Sequence, residues 1–321
     1  LEGALNAILT GINVTDASGS FDSTGNAIIG ASADYSNFDI TITGNGIVTS
    51  DSGATLTSGE FTVTSPAILD ITIAHGNGLF VNGNGTCNVT GIQATPSALL
   101  QYITCDTFTA TSTATGTFTG NLGTCDLSVN TGTLTVDGTT FGSSTLAVST
   151  GATLKGTATT FTGKTTSGEG TTDITALEGN LTADLSNLAT TSVTATLDIS
   201  SNRAFVGANL GTTVINTING SGTITADANT VMPTGTGRFI LNNTSFLDIT
   251  AIHADGLTVT EGSASTTNVT VLEGALTADL SGIGTYFFTV ALGANGTFTG
   301  DLGTATTTIG TGVTMTTNVA R

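Results

Sequence analysis

The segment TFTGNLGT (Thr117–Thr124) returns as TFTGDLGT (Thr297–Thr304), with seven of eight positions agreeing across an offset of 180 residues, nine periods of 20. A second pair of words, LEGNLTADLSNL from Leu177 and LEGALTADLSGI from Leu272, is offset by 95, close to five periods of 19, and LEGALNAILTGI from Leu1 belongs with them. Words this long do not recur by accident. A repeat near 20 residues accommodates one coil of about three short strands and is too short for a helix pair or a propeller blade. The reading is an all-β chain forming a single elongated parallel β-solenoid (β-helix) domain over residues 1–321, with about 20 residues per rung and roughly sixteen rungs. At a strand spacing of ~4.8 Å the body would be roughly 75 to 80 Å long.

Within a rung the side chains alternate. Gly59-Glu60-Phe61-Thr62-Val63-Thr64 and Gly132-Thr133-Leu134-Thr135-Val136 set Phe, Val or Leu against Thr or Glu, the period-two pattern of a strand with one face inside and one outside. Turn residues punctuate the strands, as in Asn82-Gly83-Asn84-Gly85 and Val136-Asp137-Gly138. Two residue ladders echo the period: Cys87, Cys105 and Cys125, and Phe21, Phe38, Phe61, Phe80 with Phe118, Phe141, Phe161. The expectation is that the three cysteines stack in the interior of successive rungs as buried thiols, with one disulfide as the alternative.

Composition supports strands and narrows function. Only 9% of residues are charged, Gly fills 43 positions, and Thr and Ser fill many others, while helix formers are scarce. The formal net charge is -18, from 23 acidic and 5 basic residues. A nucleic-acid ligand needs Lys or Arg against its phosphates, so no nucleic-acid partner is expected. Anionic lipid is disfavoured on the same ground. No run approaches the ~18 apolar residues of a membrane span. The chain starts at Leu1 without a signal sequence, which reads as a mature or trimmed product. Nine Asn-X-Ser/Thr sequons, at Asn13, Asn84, Asn88, Asn180, Asn219, Asn242, Asn243, Asn268 and Asn295, permit glycosylation.

Chemistry-bearing motifs are sparse. His75 and His253 are the two histidines and are expected at surface or corner positions. The polygalacturonase pattern of paired Asp, Gly-His-Gly and Arg-X-Lys finds only faint echoes in Ala74-His75-Gly76 and Arg238-Phe239-Ile240, with no Asp-Asp pair. Lys155, Lys164, Arg203, Arg238 and Arg321 are too dispersed for a lyase site, since acid/base work needs groups within hydrogen-bond reach. Calcium-binding nonapeptide repeats need Gly-Gly words, which the chain lacks. No catalytic, metal or cofactor residue is expected, and no cofactor. Thr-X-Thr words such as Thr41-Ile42-Thr43, Thr223-Ile224-Thr225 and Thr258-Val259-Thr260 are similar to those of ice-binding β-solenoids, but their uneven spacing points to different faces.

In period and composition the whole chain resembles the Thr/Gly-rich β-strand-repeat surface proteins, which include autotransporter passengers, filamentous adhesins and appendage subunits. The resemblance implies a secreted, cell-surface, self-associating or adhesive protein and carries no functional residue across. Both ends read as repeat rather than cap, and an open rung templates another chain. The expected function is therefore a non-enzymatic structural subunit of an extracellular filament, sheath or appendage, stacked head to tail with copies of itself. Leu1, Leu5, Ile8, Val313 and Val319 are the expected assembly residues of the end rungs. The alternatives are an adhesin stalk that meets glycans or host surfaces, then an ice-binding protein, then a carbohydrate-active β-helix enzyme.

Overall fold

The computed structural model describes residues 17–23, 26–30, 34–35, 38–56, 59–142, 145–261 and 264–317. It is an all-β solenoid of about fourteen turns whose strands pair in parallel. Residues paired across adjacent rungs are from 17 (Thr109 to Asp126) to 25 (Asp184 to Asn209) apart, and the rung count roughly matches the one expected from a period near 20. The chain forms two compact units, one through Lys155 plus Thr166–Gly170, the other Gly156–Thr165 plus the chain from Thr171.

In unit 1 one sheet stacks Ala27–Ile29, Ile47–Ser50, Ile68–Thr72, Thr86–Thr90, Thr107–Ser112, Asp126–Val129, Leu146–Val148 and Thr166–Ser167. A second stacks Ala17–Ser23, Phe38–Gly44, Glu60–Val63 and Phe80–Asn82. In unit 2 one sheet carries Thr171–Thr175, Ser192–Ile199, Val214–Gly220, Arg238–Leu241, Val259–Glu261 and Ile283–Gly284. Another carries Arg203–Phe205, Thr223–Ala226, Phe246–Thr250, Thr266–Thr270, Phe287–Leu292 and Thr306–Ile309.

The alternation expected from sequence is what fills the interior. Phe61 and Val63 are fully buried while Thr62 between them is only partly so, and Ile42, Leu134, Ile224 and Val259 are buried at the centres of their Thr-X-Thr words. Parallel sheets are usually covered on both faces, which gives continuous apolar strands. Here the outer face meets solvent, so Thr serves it: β-branched for the strand, with a hydroxyl for water. The Thr-X-Thr words fall on several sheets. One of the outward columns in unit 1 reads Thr49, Asp70, Asn88, Thr109, Asp126, a mixed row rather than a threonine array.

The longest repeated words are mostly corners, TFTGNLGT and TFTGDLGT each leading off the end of a strand. In each, an Asx side chain accepts from the residue two positions on: Asn121 Oδ1 from Gly123 N–H (2.9 Å), Asp301 from Gly303 (2.8 Å), Asp184 from Ser186 (3.1 Å) and Asp279 from Ser281 (3.0 Å). This local bond bends the chain while giving its amides a partner. The corners also stack, with bridges Leu99–Asn121–Thr140 in unit 1 and Asp184–Asn209–Val231 in unit 2. The Leu-Glu-Gly words form one-turn 3-10 helices, Leu177–Gly179 and Leu272–Gly274. Their glutamates reach the next rung, where Glu178 accepts from Asp198 N–H (3.3 Å) and Glu273 from Gly293 N–H (3.1 Å).

The offset of about 180 is a duplication of architecture. Phe38–Gly44 recurs as Val214–Gly220, Ile68–Thr72 as Phe246–Thr250, Thr86–Thr90 as Thr266–Thr270, and Asp126–Val129 as Thr306–Ile309. A one-turn helix follows the second pair in both units, α1 (Ile73–Gly76) and α3 (Ala251–Ala254), with α2 (Ala158–Phe161) as a third instance. The phenylalanine ladder does not survive in full. Phe61, Phe118 and Phe161 are buried, but Phe80 is 51% exposed and packs on Tyr102 at 4.7 Å. The neighbours of Phe61 in its column are Ile40 and Val81: Phe80 stands one position out of phase and so points the other way, while Phe38 lies two residues before Ile40, on the same face but past the column.

Candidate functional site

The three cysteines are buried thiols of unit 1. Cys87 pairs with Phe108, and Cys125, one residue before Asp126, falls level with Phe108 from the other side, so a phenyl ring separates them in the column. Cys105 sits at the corner before the strand, its thiol 3.5 Å from Asn82 O and in hydrogen-bonding reach of Cys87. The thiol contact and burial push Cys87 well up, while the same contact pulls Cys105 down, making Cys105 the first of the pair to ionise. The interior is thus a thiol pair with a third thiol beyond an aromatic spacer, rather than an unbroken ladder.

Unit 2 fills two of the three matching positions with hydroxyls: Thr267 stands where unit 1 has Cys87 and Thr285 where it has Cys105, while Ala305 stands for Cys125. Thr285 donates to Phe287 O at 3.1 Å. The hydroxyls of Ser245, Ser265 and Thr267 are buried in adjacent rungs with no hydrogen-bond partner among the described residues. Leaving a buried hydroxyl unpaired costs about 1–3 kcal/mol. Thr267→Val, which keeps the volume, should therefore stabilise unit 2 by about 1 kcal/mol in denaturant unfolding. Unchanged or lower stability would mean that ordered water serves the hydroxyl.

Both histidines occupy the corners expected, but neither is on the surface. His75 and His253 lie on α1 and α3, 7% and 8% exposed. In each case the threonine that precedes the helix holds Nδ1, Thr72 at 3.3 Å and Thr250 at 3.0 Å. In α2 a threonine replaces the imidazole, and Thr157 bonds Thr160 at 3.1 Å. His75 is further tied by Ser50 Oγ at 2.6 Å and by the Ala54 backbone. Burial lowers its pKa, against the Ala54 contact and the Asp51 charge, which raise it.

The expected assembly residues are mostly beyond the described residues, as Leu1, Leu5, Ile8 and Val319 are. Val313 is half-buried in the loop before Met315–Thr317. The neighbouring edge is more informative. Thr306–Ile309 pairs with Phe287–Leu292 and, among the described residues, with no other strand. Ile309 stacks on Leu292, which is 2% exposed, yet Ile309 itself is 46% exposed. Its counterpart Val129 is fully buried, because Leu146–Val148 stacks on it. Sequence reasoning missed this residue because Ile309 reads as an ordinary interior position.

Among the described residues no three or more His, Cys, Asp or Glu side chains gather as a metal site, and no helix is long and apolar enough to cross a membrane. Asp279 is held below its ordinary value by the hydroxyl and amide of Ser281, the signature of a corner bond. Compared with protein-family models, with curated proteins and with solved structures, the chain matches none.

Proposed function

We propose that this chain is a structural β-solenoid that polymerises by adding rungs, the subunit of an extracellular filament, sheath or appendage. The observation that supports the reading is the stacking itself: rung meets rung through parallel strands with interior side chains in line, as Val148 meets Val129 and Ile309 meets Leu292. A second copy of the chain carries such strands, and an open strand edge with an exposed apolar residue is the usual template for chain-to-chain pairing. A contact of this type is heterologous and repeats without closing, so it yields a filament. The low charge, the threonine-covered faces and the corners built from backbone-satisfying Asx bonds fit a load of structure rather than turnover.

Sedimentation velocity on the intact chain tests this. Ile309→Lys places a charge where the next rung must stack, and the variant should sediment as a monomer at concentrations where the parent forms large species. Self-association that persists undiminished in Ile309→Lys would sink the reading. The second reading, an adhesin stalk, draws on Tyr286 and Phe287, 67% and 55% exposed and in edge-to-face contact at 4.6 Å, a surface with aromatic area to offer a ligand. A stalk stays monomeric in both forms, so the same experiment separates the two.

A further inference from the structure

The duplication lets one corner of unit 2 be read against its own counterpart in unit 1. A cavity of about 190 Å³ in unit 2 is lined by Ala226, Ala228, Thr250, Ile252, His253, Val271 and Gly274. The counterparts of four of these, at offsets of 176 to 180, are Ser50, Ser52, Ala74 and Gly91. Each becomes more apolar or larger in unit 2: Ser50 to Ala226, Ser52 to Ala228, Ala74 to Ile252, Gly91 to Val271. A fifth lining position moves the other way, Ala94 to Gly274, so the wall gains apolar bulk at four of the five positions that change.

Two further features mark the corner as built. In unit 1 Ser50 closes on the imidazole of His75 at 2.6 Å and the Ala54 backbone takes part as well. Ala226 removes that hydroxyl, and the sole side-chain hydrogen bond of His253 among the described residues is the one from Nδ1 to Thr250. The ring therefore has Nε2 to offer at a wall of the cavity. Val271 sits at φ +58, a left-handed conformation that its counterpart Gly91 adopts freely at φ +74. A β-branched residue there is strained, and strain of this kind persists where a site makes use of it. Val271 is 50% exposed and Ile252 67%, so the two form an apolar lip.

We infer that the His253 corner is a binding pocket for a small ring-sized apolar group carrying one hydroxyl, a phenol, either free or as a tyrosine side chain. The apolar wall takes the ring, and the volume suits a single ring rather than a larger ligand. The hydroxyl bonds Nε2. Whichever tautomer Thr250 imposes, a hydroxyl can answer it, because it both donates and accepts. A carboxylate is disfavoured, since no Lys or Arg lines the cavity and the chain carries a net charge of -18. This assignment goes beyond the filament reading and does not depend on it.

The test is an NMR titration of the full chain with 4-methylphenol, following the Hε1–Cε1 signals of the two histidines. A saturable shift of His253 with His75 unmoved is expected. Toluene, which lacks the hydroxyl, should bind about fivefold or more weakly, the loss of one hydrogen bond. Ala226→Ser, which sets a polar hydroxyl in the apolar wall, should weaken binding, and Val271→Gly should weaken it by removing the lip. Both variants copy residues that unit 1 already tolerates at these positions. N-acetyl-tyrosinamide distinguishes the sources: binding extends the site to tyrosine side chains, and its failure with 4-methylphenol still bound restricts it to free phenols. No saturable shift, equal shifts at both histidines, equal affinity for toluene, or an unchanged titration in Ala226→Ser would each overturn the assignment.

Discussion

Phe239→Ala should destabilise unit 2 by about 3–5 kcal/mol, the range for removing a fully buried aromatic side chain. Phe239 is 0% exposed and lies between Asn216 and Val259 in its column, with Leu241 beside it in the interior. A narrow solenoid has no second layer of side chains to collapse into the space left behind, so the cavity term is felt in full. Its counterpart is Phe61 in unit 1, also 0% exposed, and Phe61→Ala should cost a similar amount. In a repeat architecture each rung contacts chiefly its neighbours, so the loss of protection should be local. Hydrogen exchange is the measurement: Phe239→Ala should expose amides in the strands around Arg238–Leu241 while the strands around Phe61 keep theirs. Uniform loss across both units would show that the rungs fold as one cooperative block instead.

Gly220→Ala should be the most damaging single-methyl change. Gly220 sits at φ +106, and an added Cβ would stand 1.8 Å from the carbonyl oxygen of Ile199, its partner on the rung below. The carbonyl is backbone and cannot swing aside, so strain and overlap add to roughly 3 kcal/mol. Gly256 supplies the control. It has φ +66 but open space around the added methyl, so Gly256→Ala should cost only about 1 kcal/mol, the ordinary penalty of the left-handed region. Denaturant unfolding of the two variants separates conformational strain from rung-to-rung overlap. Equal costs would mean that the close approach at Gly220 relaxes without consequence.

How much of this was legible beforehand depends on the length scale of each signal. The parallel solenoid was, because alternation such as Phe61-Thr62-Val63 and a period near 20 are properties of the chain itself. The corner identity of LEGNLTADLSNL and TFTGNLGT was not. Those words repeat because Asn121 or Asp184 must fold back on the amide two residues on, and a repeated word looks the same whether it is strand or turn. The phenylalanine spacing misled because one residue of slip inverts a strand: Phe61 points in, while Phe80, paired beside Glu60, points out. The cysteine spacing was near the rung length, yet the corner before Thr107 holds Cys105 out of the column that Cys87 and Phe108 share. Contrasts such as Ser50 against Ala226 carry no meaning until register shows that the two positions are equivalent. The exposed Ile309 depends on what lies over it, which no local pattern encodes.

Electron microscopy of the purified, undenatured protein tests the structural account most directly. The account predicts long uniform fibres whose rungs run perpendicular to the fibre axis at about 4.8 Å. Monodisperse short particles at high protein concentration, with Ile309 still open to solvent, would contradict it.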